Sequence, residues 1–257
     1  MSAIFDSERH NRDLRFFRNL IFAMAIIIVA GFGIQLAAGR SSFSAPLIVH
    51  VHAVLFMGWV VITVLQAWLA SAGNLNFHRR LGIVAAIWAC VMMVVGPLVT
   101  IGMAHNGRVP PVFQPQYLLI ADPATLVAFF GLLASALALR HRPDWHARLQ
   151  IGAFMMLMGP GVGRILPMPL LIPNAFQVAC SLPLIIAVIG MVRDWRVHGR
   201  PHPAWLISVA VLALTLAAAQ VLVFSPLGDT IYAAATAGGP AEGTNGLAFP
   251  QPPHFGP

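Results

Sequence analysis

Of the 257 residues, 58% are hydrophobic and only 9% charged, and the mean hydropathy is +0.80. Soluble domains carry about 25% charged residues, so this balance excludes an ordinary soluble fold and turns most of the surface toward lipid. The +7 formal charge is the balance of 15 Arg, with no Lys, against eight Asp and Glu. The Arg residues stand in short clusters between apolar runs, which is topology signalling and argues against nucleic acid as a partner.

A membrane-spanning helix needs about 20 mainly apolar residues. Seven stretches qualify: 16–38, 44–71, 79–104, 117–139, 146–166, 174–193 and 203–224. The expected fold is therefore an all-α integral membrane protein, a seven-helix bundle of one leading helix and three hairpins. Residues 1–15 form a cytoplasmic N-terminal segment and 16–225 the transmembrane domain. Residues 226–257, rich in Gly, Pro and Ala, are expected as a disordered external tail. Leu36-Ala-Ala38 resembles a signal-peptide cleavage site, but the apolar run before it exceeds the about 7–15 residues of a signal core, so an uncleaved first helix is expected.

Arg placement orients the bundle. The N-terminal segment and the start of the first stretch hold Arg9, Arg12, Arg15 and Arg18. Arg79 and Arg80, then Arg140, Arg142 and Arg148, then Arg193, Arg196 and Arg200 occupy alternate connections, against Arg40, Arg108 and Arg164 on the other side. The bias places the N-terminus in the cytoplasm and the C-terminus outside, in a bacterial inner membrane. Cys90 and Cys180 lie in apolar segments with no C-x-x-C spacing, so no disulfide framework is implied.

Two octapeptides match. Asn76-Phe-His-Arg-Arg-Leu-Gly-Ile83 and Asp144-Trp-His-Ala-Arg-Leu-Gln-Ile151 each open an apolar stretch, with Asn76 and Asp144 read as helix caps. Met92-Met-Val-Val-Gly-Pro-Leu-Val99 likewise parallels Met155-Met-Leu-Met-Gly-Pro-Gly-Val162, and a fainter third copy joins Asp194-Trp195 to His202 and Trp205. Each Gly-Pro pair predicts a kink, because Pro removes a helix hydrogen bond and crowds the preceding turn.

Polar residues gather at two levels. On the outer side are His50, His52, Asp122 and Arg164. Residues two apart on a helix point about 200° apart, so only one of His50 and His52 turns inward. An ion pair between Asp122 and Arg164 is expected, since an unpaired charge at that depth is costly. On the cytoplasmic side, His78 and His146 start parallel helices at one depth. Two such imidazoles suit the axial positions of a haem b iron, with Arg79 and Arg148 pairing its propionates and Gln66, Gln150 and His141 around it. No H-E-x-x-H, G-x-S-x-G or phosphate-binding loop is present.

His78-Arg-Arg-Leu-Gly82, His146-x-Arg-Leu149 and the distal Arg164 resemble the H-R-x-x-G and H-x-R-[LM] motifs of a group of uncharacterised bacterial multi-pass membrane proteins, over roughly residues 45–170. The paired helical histidines are more loosely similar to cytochrome b561-type haem proteins. That resemblance implies haem binding, with His50 or His52 as further ligands, and membrane electron transfer with a redox partner or quinone. A small-solute or proton carrier using Asp122, Arg164 and His50, and a non-catalytic membrane subunit or assembly factor, are the alternative expectations.

Overall fold

A computed structural model describes residues 2–39 and 44–251, with side chains from Arg12 onward. Arg40 and the last six residues of the expected tail lie outside the described residues. All regular structure among the described residues is helical. The chain forms α1 (Ser2–Ala37), α2 (Leu47–Ser71), α3 (Leu75–His105), α4 (Pro115–Ala138), α5 (Pro143–Met156) and α6 (Gly159–Ile165). A 3-10 turn (Met168–Leu171) leads to α7 (Ala175–Ser181), α8 (Leu184–His198), α9 (Pro203–Val223) and α10 (Pro226–Thr236). Residues expected as an N-terminal segment are helical and continuous with the first span.

Six helices among the described residues, not seven, are long and apolar enough to cross a membrane: Arg12–Ala37, Leu47–Ser71, Leu75–His105, Pro115–Ala138, Ala175–His198 and Pro203–Val223. The fifth expected span is broken. The end of α5 tightens into three-residue hydrogen bonds, Leu157 N–H to Phe154 O at 3.1 Å and Met158 N–H to Met155 O at 3.2 Å. Pro160 then enters the first turn of α6, where its missing N–H leaves no bond unmade. The other Gly-Pro pair behaves differently: α3 runs through Pro97 as one helix, and Thr100 Oγ1 donates back to the Gly96 carbonyl at 3.2 Å.

The broken segment works as a core element. Leu149, Ile151, Ala153, Phe154, Met155 and Met156 are all 3% exposed or less, and α5 packs on α4, α9, α1 and α8. Lipid does not surround this stretch, so the length that bilayer thickness demands does not govern it. α6 crosses α1 with the backbones in close approach: a Cβ on Gly161 would sit 2.8 Å from the Ile28 Cα, and one on Gly31 would strike the Gly161 carbonyl.

Residues 226–251, expected as disordered, fold back over the end of the bundle away from the Arg clusters. Ser225 caps α10 by accepting from Gly228 N–H, and Asp229 stands in its first turn. Gln116, 2% exposed, anchors the segment. Its backbone N–H donates to Gly246 O at 2.9 Å, and its amide donates to Val223 O at 2.7 Å and to Asp229 Oδ1 at 2.9 Å. Ala241 N–H reaches His105 O at 3.2 Å. Composition hid this order, because small residues pack closely here: a Cβ on Gly246 would stand 2.8 Å from Gln116 Oε1.

Candidate functional site

The first candidate lies where α3 and α5 begin. α3 starts two residues earlier than its octapeptide suggested: Asn74, not Asn76, is the cap, and its side chain accepts from Phe77 N–H at 3.3 Å. α5 begins at Pro143, so Asp144 lies in its first turn. His78 Nδ1 donates to the Gln66 carbonyl of α2 at 3.2 Å, and His146 Nδ1 donates to the Ala136 carbonyl of α4 at 2.8 Å. A carbonyl can only accept, so each neutral ring carries its proton on Nδ1 and keeps the Nε2 lone pair. The two rings meet with centroids 6.2 Å apart and planes at 86°. Gln66 also has a buried side-chain Oε1 without a partner among the described residues.

The Arg residues beside this pair divide. Arg79 is exposed. Arg148 is 3% exposed and belongs to a different cluster. Its Nε and Nη2 grip Asp194 at 2.7 and 2.6 Å, and its Nη1 donates to the Asp144 carbonyl at 2.8 Å. The propionate role expected of Arg148 is therefore replaced by a buried ion pair joining α5 to α8. Trp205 Nε1 of α9 also donates to Asp194 Oδ2 at 2.8 Å, and Gly190 leaves room for the indole, whose ring atoms a Cβ there would strike. Arg193 pairs with Asp13 of α1 and lies 3.5 Å from Asp194, while Arg148 stacks over Phe17 at 4.9 Å. Asp194 was missed because it fell just past the sixth expected span. The faint third copy at Asp194 and Trp205 was the signal that could have found it.

A second contact ties α5 to α9. His202 Nδ1 accepts from Ala204 N–H at 3.2 Å, which caps α9, so its Nε2–H donates to Asp144 Oδ2 at 3.1 Å. Burial holds the His202 pKa below its ordinary value, outweighing the opposing pull of Asp144. Burial pushes the Asp144 carboxyl up, but hydrogen bonds from His202 and from the backbone outweigh it, and its pKa lies below the usual carboxylate value.

At the opposite level, a cavity of about 100 Å³ is lined by His52, Phe56, Trp59, Gly96, Asp122 and Phe154, among others. His52 is in its wall; His50 is half-buried near the start of α2 and is not among the lining residues. The expected Asp122–Arg164 pair does not form. Asp122 Oδ2 accepts from Thr100 Oγ1 at 3.2 Å. Arg164 donates to Pro160 O at 2.8 Å and lies 3.9 Å over the Phe32 ring. The break before α6 is the cause: it packs α6 on α1 and carries Arg164 to that side, while Asp122 faces α3. His105, at the same end of the bundle, is taken up by the C-terminal segment through Nδ1 to Ala235 O at 3.2 Å.

No protein-family model matches this chain, and no curated protein and no solved structure is similar to it.

Proposed function

We propose that this membrane protein holds a redox iron, of haem b type, between His78 and His146 and takes part in electron transfer at the membrane. The meeting of the two imidazoles carries the reading. Nitrogen ligands bind transition metals at about 2.0–2.1 Å, so two rings facing one ion from opposite sides have centroids roughly 6 Å apart. The 6.2 Å between these rings is of that size. A ligand histidine characteristically donates its other N–H to a carbonyl or carboxylate, which fixes its tautomer and orientation. Gln66 O and Ala136 O do this for His78 and His146.

Each residue has a part in the arrangement. The α2 and α4 carbonyls hold the two rings, and the matched helix starts set their common depth. Exposed Arg79 is the guanidinium left to meet a propionate, since Arg148 is engaged by Asp194. A haem held there supplies one-electron transfer. The Arg distribution favours an inner-membrane protein with this site on the cytoplasmic side, where a soluble or membrane-bound partner reaches it.

The test is an absorption spectrum of the detergent-purified chain from haem-replete cells, oxidised and then dithionite-reduced. A sharp reduced α-band of the bis-histidine haem b kind, at about one haem per chain, is expected. His78→Ala and His146→Ala should each abolish the band while leaving expression intact. A featureless visible spectrum, or full haem occupancy in both variants, overturns the reading.

A further inference from the structure

One residue in the wall of the cavity at the Asp122 level carries a donor with nothing to donate to. Trp59 is 4% exposed, and its Nε1–H, which can only donate, has no partner among the described residues. The buried Nδ1 of His52 has none either. A buried donor left unmade costs about 1–3 kcal/mol. The neighbouring hydroxyls show that the fold otherwise meets such needs. Thr63 donates to Trp59 O at 2.9 Å, Thr100 to Gly96 O and Asp122, and Thr125 to Asp122 O at 2.8 Å. Two unpaired nitrogens on residues of one cavity wall are thus the exception: Trp59 Nε1–H lacks an acceptor, and so does His52 Nδ1 in the tautomer that carries its proton there.

The rest of the lining narrows what that acceptor belongs to. Phe32, Phe56 and Phe154 supply flat apolar surface, and His52 is stacked on Phe56 with centroids 4.2 Å apart. The volume of about 100 Å³ exceeds the roughly 30 Å³ share of a single water and is smaller than the ~150 Å³ cavity that holds benzene, so a ring enters in part, its outer edge at the opening. Phe32, His52, Phe56 and Trp59 belong to the apolar spans, Phe154 and Pro160 to the broken segment between them, and the lining reaches the surface at exposed Pro160 and half-buried Phe32. A ligand from that surface is lipid-soluble, planar and equipped with oxygens that accept hydrogen bonds.

We propose that this cavity is a binding site for the ring of a lipid-soluble quinone. Its carbonyl oxygens accept from Trp59 Nε1–H and His52 Nδ1–H, and its ring lies among the phenylalanines. Asp122 is the acid on the same wall. The redox meaning of the site rests on the haem reading above, as the lipid-side partner of the iron; the binding itself does not.

The experiment titrates duroquinone, a ring without a tail, into the purified full-length chain and follows binding by calorimetry. Saturable binding near one ring per chain is expected, weakened about tenfold in Trp59→Phe, the loss of one neutral hydrogen bond. Phe keeps an aromatic ring against Phe129, which Trp59 meets edge-on at 5.1 Å. His52→Phe removes the second donor and should weaken binding in the same direction. Absence of saturable binding, or unchanged affinity in both variants, overturns the proposal. The visible spectrum is read on the same sample. Trp59-dependent binding without a haem band removes the redox reading and keeps the cavity site; a haem band without ring binding does the reverse.

Discussion

Asp194 is the residue on which the Arg-rich half of the bundle turns. Its carboxylate accepts from two Arg148 nitrogens and from Trp205 Nε1, with both charged side chains 3% exposed or less. Such a pair is costly to desolvate, and its net worth against an apolar substitute is small, but breaking it from one side leaves a bare buried charge. Asp194→Asn should therefore destabilise the chain by roughly 3–5 kcal/mol, read as a fall in the thermal midpoint in detergent. The double variant Asp194→Leu/Arg148→Met should recover most of that loss. Equal midpoints for the native chain and Asp194→Asn would show that water reaches the pair. The partnership was not legible beforehand: 46 positions separate the two residues, and Arg148 stood where its octapeptide offered it to a ligand. His78 and His146 were legible as a pair because matched local sequence gives matched helix starts. The carbonyls that fix their tautomers belong to other helices, and no local pattern names them.

Between elements, the same end of the molecule is fastened by a titratable contact. His202 caps α9 through Nδ1 and reaches Asp144 of α5 through Nε2–H. The cap needs the neutral ring, because a proton on Nδ1 would abolish it; the Nε2–H bond to Asp144 is kept in either state. With the folded pKa held below the ordinary 6.5, the contribution is fully present above about pH 6.5 and is lost as pH falls through the lowered folded value. Asp144, also lowered, adds a loss only on further acidification, below its ordinary 3.8. The thermal midpoint should drop between pH 7.5 and 5.5, and the drop should shrink in His202→Asn, which keeps a capping side chain but does not titrate. An identical drop in that variant would assign the pH dependence to other groups. The helices themselves were largely legible, since long apolar runs between Arg clusters leave little choice. The fifth was misjudged because a run can be apolar for protein neighbours as well as for lipid. Its Gly-Pro pair marked the break, but an equal pair in α3 did not break that helix, so the motif alone does not decide.

At the scale of the whole molecule, the C-terminal segment closes the end that the Arg-rich connections leave open. Composition alone reads residues 226–257 as a tail, yet Ser225-Pro226 is a helix start with its cap and its first-turn proline in place. What composition cannot show is that Gln116, in the first turn of α4, is buried with its amide turned to this segment. Gln114 adds a bond to Leu247 O at 2.7 Å, and Tyr232 and Thr244 join hydroxyls at 2.9 Å. Truncation after Phe224 removes Asp229 and Gly246 as partners of Gln116 and takes Tyr232 off Ala104 and Leu119, exposing that apolar face. At about 1–3 kcal/mol for each buried polar group left unsatisfied, the truncated chain should unfold several degrees earlier. Hydrogen exchange should quicken at the ends of α3, α4 and α9 and leave the Arg148–Asp194 end unchanged. A dispensable tail would leave both midpoint and exchange where they were. Because the duroquinone cavity lies between these two ends, ring binding measured on the truncated chain also tests whether the cap holds α3 and α4 in the spacing that the cavity needs.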